Sequence, residues 1–232
     1  MTDPQRTSKT RWKTALWTLL VLSLLANAYQ GYRIHQQDLA NELRRARRNA
    51  RTTPRAELYA ALPMDTNSIV LFGDSHFEYF PAQEMLDVPN IKNRGLSGQT
   101  TRDLINRSAE IVRAKPRTIA LCIGINDINH KRSLKELAHD VEELIDILHN
   151  GSPGTRLVVL SIPPNENAPT QAKVLEHNAW LKQSCAAHDL IFLDITTPLM
   201  KDGAMDPAVT YDGLHLNAKG YGTLASLLRT HL

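Results

Sequence analysis

From about residue 60 the chain alternates short, almost wholly apolar runs with longer stretches in which apolar residues recur every three or four positions. Ser68-Ile-Val-Leu-Phe72, Thr118-Ile-Ala-Leu-Cys-Ile123, Arg156-Leu-Val-Val-Leu-Ser161 and Leu190-Ile-Phe-Leu-Asp194 are rich in β-branched and aliphatic residues. They show no polar alternation, as strands buried on both faces must not. A weaker fifth run, Asn90-Ile-Lys-Asn93, falls between the first two. Ser133-Leu-Lys-Glu136 forms a capping box ahead of Leu137, Val141, Leu144, Ile145 and Leu148, and Asn150-Gly151 stops that helix. Stretches 100–112, 171–187 and 219–232 have the same helical period. Repeated strand–helix alternation predicts an α/β domain over 61–232, with a five-stranded parallel sheet between helical layers. Ligands of such sheets sit beyond the carboxyl ends of the strands.

The N-terminal quarter has a different pattern. No charge occurs from Thr14 to Tyr32, and Ala15 to Ala26 is apolar on every helical face, unlike a surface helix. Arg6, Lys9, Arg11 and Lys13 precede this stretch. A basic region 1–13 followed by a transmembrane anchor over 14–32 is one reading. Trp12 and Trp17 near one end and Tyr29 and Tyr32 at the other are placed like interfacial aromatics, and a helix from Trp12 to Tyr29 rises roughly 26 Å. The other reading is a cleaved secretory signal, with Ala26-Asn27-Ala28 as the small-x-small site. The anchor implies a single pass through a bacterial inner membrane with the domain on the periplasmic side; the signal implies export after cleavage near Ala28. Residues 33–60 read as a basic helical linker, either a solvated stalk or one whose Arg44, Arg45, Arg47 and Arg48 adhere to anionic headgroups. Thr52-Thr53-Pro54 is expected to break the helix before the domain.

Charge sharpens this division. The 232 residues carry 27 Lys+Arg and 24 Asp+Glu, net +3. Residues 1–55 hold 11 basic and 3 acidic side chains, net +8, which leaves −5 for the rest. An acidic domain and an arm without aromatics among its arginines argue against nucleic-acid binding. Two cysteines, Cys122 and Cys185, exclude a disulfide scaffold and a Cys-type zinc site. Export would still allow a disulfide between them. The histidines form no His-x-x-x-His pair, so metal hydrolysis has little support.

The predicted strand ends carry the chemistry. Gly73-Asp74-Ser75 follows the first strand, Asn93-Arg94-Gly95 the second, Gly124-Ile125-Asn126-Asp127 the third, and Asp212-Gly213-Leu214-His215 comes just before the terminal helix. A serine hydroxyl needs a base to become a nucleophile, and histidine titrates in the useful range. Asp212, three residues before His215, can hold its tautomer. The backbone N–H groups of Ser75 and Gly95 and the amide of Asn126 would stabilise an oxyanion, Gly95 leaving room for substrate. Taken singly, each cluster is an ordinary turn or cap; their order along one sheet edge joins them. Asp74 and Asp127 fit helix caps better than bases. Asn165, His177 and Asn178 border the pocket or lie on the surface.

At these residues the sequence resembles the SGNH/GDSL hydrolase family, in the bacterial branch similar to platelet-activating-factor acetylhydrolase catalytic subunits. The blocks are Gly73-Asp74-Ser75, Gly95, Gly124-x-Asn126-Asp127 and Asp212-x-x-His215, supported by Phe77-Glu-Tyr-Phe-Pro81, Asn93 to Gly98 and Asp212 to Tyr221, across residues 66–232. The resemblance implies a flavodoxin-like three-layer α/β/α sandwich and a catalytic triad of Ser75, His215 and Asp212. It also implies oxyanion donors at Ser75, Gly95 and Asn126, and no metal or organic cofactor. The expected substrate is a small ester, a short acyl group on a carbohydrate, lipid or cell-envelope molecule. One position departs from the pattern: His76 stands where the family places Leu or Ile. It either packs or caps locally, or brings a second titratable group to the site. Gly-Asp-Ser-His also resembles SGNH modules of bacterial O-acyltransferases, which keeps acyl transfer to a sugar hydroxyl open. An inert binding module with the same fold is the third alternative.

Overall fold

A computed structural model describes the backbone of residues 4–232 and the side chains of Trp12, residues 16–40, Leu43 and residues 52–232. It divides into two compact units, Met1–Arg51 and Thr52–Leu232.

Helix α1 spans Pro4–Ala61. Within the first unit, Leu16, Trp17, Leu19, Leu20, Val21, Leu22, Leu24 and Leu25 are each between 49 and 67% exposed. Among the described residues no helix is long and apolar enough to cross a membrane. The transmembrane anchor expected over 14–32 is therefore not recovered. Its apolar core, Ala15 to Ala26, makes a helix of only roughly 18 Å, and Asn27 and Gln30 then dilute it. Hydrocarbon is about 30 Å thick. The basic side chains of Arg6, Lys9, Arg11 and Lys13, and those of Arg44, Arg45, Arg47 and Arg48, lie outside the described residues.

The break expected at Thr52-Thr53-Pro54 does not occur, and Pro54 sits inside α1. The turns beyond it are held by the second unit, which offsets the hydrogen bond a proline removes. Arg55 pairs with Glu78 at 2.5 Å, and the Arg94 guanidinium lies 5.0 Å from the centre of the Tyr59 ring.

The second unit continues with β1 (Ile69–Gly73), α2 (Ser75–Glu78), α3 (Ala82–Leu86), β2 (Ile91–Asn93), α4 (Thr101–Ala114), β3 (Thr118–Cys122), α5 (Ile125–Asn129) and α6 (Leu134–Gly151). It ends with β4 (Arg156–Leu160), α7 (Ala168–Ala187), β5 (Ile191–Leu193), the two-residue strands β6 (Met200–Lys201) and β7 (Ala204–Met205), and α8 (Ala218–Arg229). The five expected strands form one sheet in the order β2-β1-β3-β4-β5, and every neighbouring pair is parallel. This is the flavodoxin order, whose topological switch lies between β1 and β3.

Alternate residues of each strand feed two cores. Ile69, Leu71, Ala120 and Val158 pack with Phe77, Leu86, Leu224 and Leu228, which places α2, α3 and α8 on one face. Val70, Phe72, Ile119 and Val159 pack with Leu104, Leu144, Val174 and Leu181, which places α4, α6 and α7 on the other. The result is a three-layer α/β/α sandwich. The Ser133–Glu136 capping box forms as expected. A second box, Thr100 with Asp103, starts α4; its aspartate lacks the usual Glu/Gln signature.

Cys122 and Cys185 are free and buried. They belong to the two different cores, on opposite faces of the sheet, so the disulfide that export would allow is excluded by placement.

Candidate active site

The sheet edge beyond the carboxyl ends of β1, β2 and β3 gathers the expected residues. Ser75 opens α2 directly after β1 and is 5% exposed. The side chain of Asp74 caps this short helix by accepting from the His76 N–H at 3.0 Å. Two further ties hold α2 against the segment after β2. Asn93 Nδ2 donates to the carbonyl of Phe77 at 2.5 Å and to that of Phe80 at 3.2 Å. The Glu78 carboxylate accepts from the Ser97 N–H at 2.6 Å and from its hydroxyl.

His215 arrives from the other end of the chain. A bridge between Thr210 and Leu216 closes the loop that carries it. Inside the loop, Thr210 Oγ1 accepts from the Gly213 N–H at 2.9 Å and donates to the His215 carbonyl at 2.6 Å. Gly213 has φ +78°, and a Cβ there would lie 1.9 Å from the Glu166 side chain, so this turn requires glycine. Asp212 Oδ1 accepts from the N–H groups of Leu214 and His215 at 3.0 and 2.7 Å. Its other oxygen meets His215 Nδ1 at 2.7 Å. His215 Nε2 in turn stands 3.0 Å from Ser75 Oγ. Burial works to raise the Asp212 carboxyl, but the hydrogen bonds from the His215 ring and the two backbone N–H groups outweigh it and hold the group below its ordinary value. The ring of His215 lies between two tyrosines, with centroids 5.3 Å from Tyr79 and 5.8 Å from Tyr211.

Ser75, His215 and Asp212 are thus brought into one hydrogen-bonded line. The three expected oxyanion donors fare differently. The Ser75 N–H is at the first helical position, where the helix provides no partner. Asn126 is half-buried after β3; its Nδ2 donates to the Gln99 carbonyl at 2.9 Å, with Asp74 Oδ2 at 3.5 Å. The second contact is weak enough to be exchanged for a substrate oxygen. The Gly95 N–H, however, donates to Asn93 Oδ1 at 2.9 Å. The reason expected for this glycine also changes. A Cβ at Gly95 would lie 2.3 Å from the Glu78 nitrogen and 2.7 Å from the Phe77 carbonyl carbon, so the glycine admits the backbone of α2 rather than substrate.

Asp127 is fully buried and orders a helix start, as expected. Its Oδ2 accepts from the Thr101 N–H at 2.9 Å, while Arg132 approaches its other oxygen at 3.2 Å. Asn165, His177 and Asn178 are buried, so the surface placement is ruled out for all three. Asn165 accepts from the Asn167 N–H, and Asn178 clamps the N–H and carbonyl of Ile162 at 2.8 and 2.9 Å. His177 is buried on α7 with its ring 5.0 Å from that of Trp180, and burial pushes it down to about 4. His139, Asp140 and Glu143 of α6 come within ligand distance of one another. Both oxygens of Asp140 and one of Glu143, however, are engaged by Arg102 and Arg132. The sequence assigned no role to Tyr79, Tyr211 or Asn93, although Asn93 stands in the cluster after the second strand. The expected run Phe77-Glu-Tyr-Phe-Pro81 contains the first, but without signalling that it faces His215.

Known proteins resemble this chain to different depths. The rat platelet-activating factor acetylhydrolase IB subunit alpha2 is 29% identical over 175 residues, 71% of this chain and 76% of that protein. A GDSL-like lipase from Bacteroides thetaiotaomicron superposes with a TM-score of 0.69 at 18% identity, over 77% of this chain and 95% of that one. An acetylxylan esterase from Geobacillus stearothermophilus superposes with a TM-score of 0.60 at 20% identity, over 72% and 94%. The two structures agree in fold. The model of the GDSL-like Lipase/Acylhydrolase family matches residues 71–222, from the middle of β1 into α8 and through every cluster on the sheet edge. A chain matched over that length, strand ends included, belongs to the GDSL-like lipase/acylhydrolase family and is a carboxylic ester hydrolase.

Proposed function

We propose that this enzyme is a serine esterase acting on short acyl esters, with Ser75 as nucleophile, His215 as base and Asp212 as its orienting carboxylate. The observation that carries the reading is the pair of contacts at His215: 3.0 Å to Ser75 Oγ and 2.7 Å to Asp212 Oδ2. In the first step Ser75 Oγ bonds to the ester carbonyl carbon as its proton passes to His215 Nε2. The Ser75 N–H and the Asn126 amide stabilise the oxyanion. Collapse expels the alcohol, which takes the proton from His215, and water repeats the sequence to release the acid. Asp212 stays ionised throughout and stabilises the imidazolium. An acetyl-sized acyl group is supported by the relatives, since the rat protein and the Geobacillus protein are both named for acetyl esters.

The test is labelling with a fluorophosphonate probe together with hydrolysis of p-nitrophenyl esters of graded acyl length. Wild-type enzyme should be labelled at Ser75 and prefer acetate. Absence of labelling at Ser75 would refute the serine mechanism and favour the inert binding module. Adding an excess sugar acceptor separates hydrolysis from acyl transfer, because a transferase diverts the acyl group from water to the sugar.

The arm supports a further part of the reading, attachment of the enzyme to a membrane. Apolar side chains are exposed all around α1 from Leu16 to Leu25, with Trp12 on one side and Tyr29 and Tyr32 on the other. Carbonate extraction of the full chain from membranes distinguishes an embedded helix from one lying at the surface. A mature chain beginning at Tyr29 would instead establish cleavage and export.

A further inference from the structure

His76, the residue that departs from the family pattern, is 1% exposed and follows Ser75 in the chain. Both of its ring nitrogens face oxygen atoms. Nδ1 is 3.0 Å from Asp74 Oδ1, and Nε2 is 3.1 Å from the carbonyl oxygen of Leu214. A carbonyl oxygen can only accept, so Nε2 carries a proton. Asp74 Oδ1 accepts the His76 backbone N–H at 3.0 Å, and an ionised carboxylate can only accept from Nδ1 as well. A proton on each nitrogen, an imidazolium, is the state that satisfies both contacts at once.

The peptide that His76 grips is the one joining Leu214 to His215. Its carbonyl accepts from His76, and its N–H donates to Asp212 Oδ1 at 2.7 Å. The backbone immediately before His215 is therefore held from both ends, once by Asp212 and once by the residue next to Ser75. Charged hydrogen bonds are stronger than neutral ones, and a reacting pair loses rate steeply when its spacing relaxes.

We propose that His76 is a positioning residue, held as an imidazolium between Asp74 and the Leu214 carbonyl, which docks the Asp212–His215 loop over Ser75 and makes turnover depend on its own proton. This rests on the esterase reading of Ser75 and His215. Among the other titratable groups around the ring, Asp212 favours the charge, whereas the proton that His215 takes up during turnover opposes it. Asp212 and His215 face it from the loop, with the His215 ring 5.9 Å away. Tyr221 of α8 donates its hydroxyl to the His76 carbonyl at 3.1 Å, and Cys122 of β3 adjoins Asp74. Burial alone would lower the imidazolium, but the Asp74 charge and hydrogen bond, the Leu214 carbonyl and Asp212 outweigh it and raise the group above its ordinary value. The clamp is therefore complete below about pH 6.5, the unfolded value, and is lost as pH rises through the higher folded value. Once the proton leaves, one nitrogen turns a lone pair toward an oxygen acceptor.

The decisive measurements are nitrogen-15 histidine NMR on wild-type enzyme and pH profiles of His76→Gln and His76→Leu. The His76 ring should keep two protonated nitrogens to a higher pH than an ordinary histidine; loss of the second proton at or below the ordinary value overturns the proposal, whatever the variants do. His76→Leu should lose roughly 10- to 100-fold in kcat with KM little changed, the equivalent of one charged hydrogen bond. His76→Gln, which can still donate to Leu214 but carries no charge, should recover part of kcat and lose the alkaline fall of the wild-type profile. An alkaline fall that is unchanged in both variants, or wild-type kcat in His76→Leu, also overturns it. Wild-type enzyme that is unlabelled at Ser75 refutes the esterase reading instead, and the NMR result still decides the state of the ring.

Discussion

The His215 ring stands 3.0 Å from the Ser75 hydroxyl although 140 residues separate them along the chain. Their meeting depends on two separate supports: the Asp74-capped start of α2 and the loop closed by the Thr210–Leu216 bridge. Ser75→Ala should abolish fluorophosphonate labelling and lower kcat by about 10⁴-fold or more. Asp212→Asn should leave the fold intact and still cost about 10³- to 10⁴-fold, because an amide favours the wrong tautomer of His215. Steady-state kinetics on p-nitrophenyl acetate, with circular dichroism as the fold control, check both.

Asn126→Ala removes one of the proposed oxyanion donors and should lower kcat by about 10²- to 10³-fold. KM should move little, since the donor strengthens its bond only as charge develops. Equal losses in kcat and in substrate affinity would place Asn126 in ground-state binding instead.

Gly95→Ala tests packing rather than chemistry. A methyl group 2.3 Å from the Glu78 nitrogen must push α2 away from the segment after β2. A destabilisation of about 1–3 kcal/mol is expected, read as a drop in the urea midpoint, together with loss of activity as Ser75 shifts. Unchanged stability and activity would show that α2 yields freely.

His177 provides a pH-dependent stability signal distant from the chemistry. Burial pushes it down to about 4, whereas the unfolded chain binds that proton near pH 6.5. Its contribution is complete above about pH 6.5 and is lost as pH falls toward the folded value, about 3 kcal/mol over the window. His177→Leu should reduce the loss of stability between pH 7 and pH 4 by that order, as measured by denaturant unfolding at each pH. An unchanged slope in the variant would mean that His177 is protonated in the folded state.

Native enzyme should resist thiol reagents. Cys122 and Cys185 are buried, and burial pushes the Cys185 thiol up to about 11 and raises that of Cys122 as well. Both should react only after unfolding, with no change in mobility between oxidised and reduced protein on gels. Rapid modification of the native chain would contradict the placement.

Much of the sheet was legible before any coordinates. Ile69–Gly73 and Thr118–Cys122 are strands because an uninterrupted apolar run of that length can bury both faces only inside a sheet. The polar clusters after them read as site residues by the same logic. The arm was read less well. Pro54 marks a helix end when local preference decides, but the Arg55–Glu78 pair and the Arg94–Tyr59 contact hold the following turns in place. The short α3 and the β6–β7 hairpin left no readable signal, since a single turn or two residues per strand establish no period.

The residue pattern alone determined the class of fold and pointed to the sheet edge where Ser75, His215 and Asp212 meet, because burial and turn formation are imposed locally on each segment. Only the tertiary structure decided what those neighbours do. It turned the Gly95 N–H toward Asn93, pressed the Gly95 backbone against α2, put the two cysteines on opposite faces of the sheet and set His76 between Asp74 and Leu214. Each of these is a direction in space fixed by segments distant in sequence. A one-dimensional pattern records which groups a chain contains, while the orientation of a hydrogen bond depends on where the partner's chain returns.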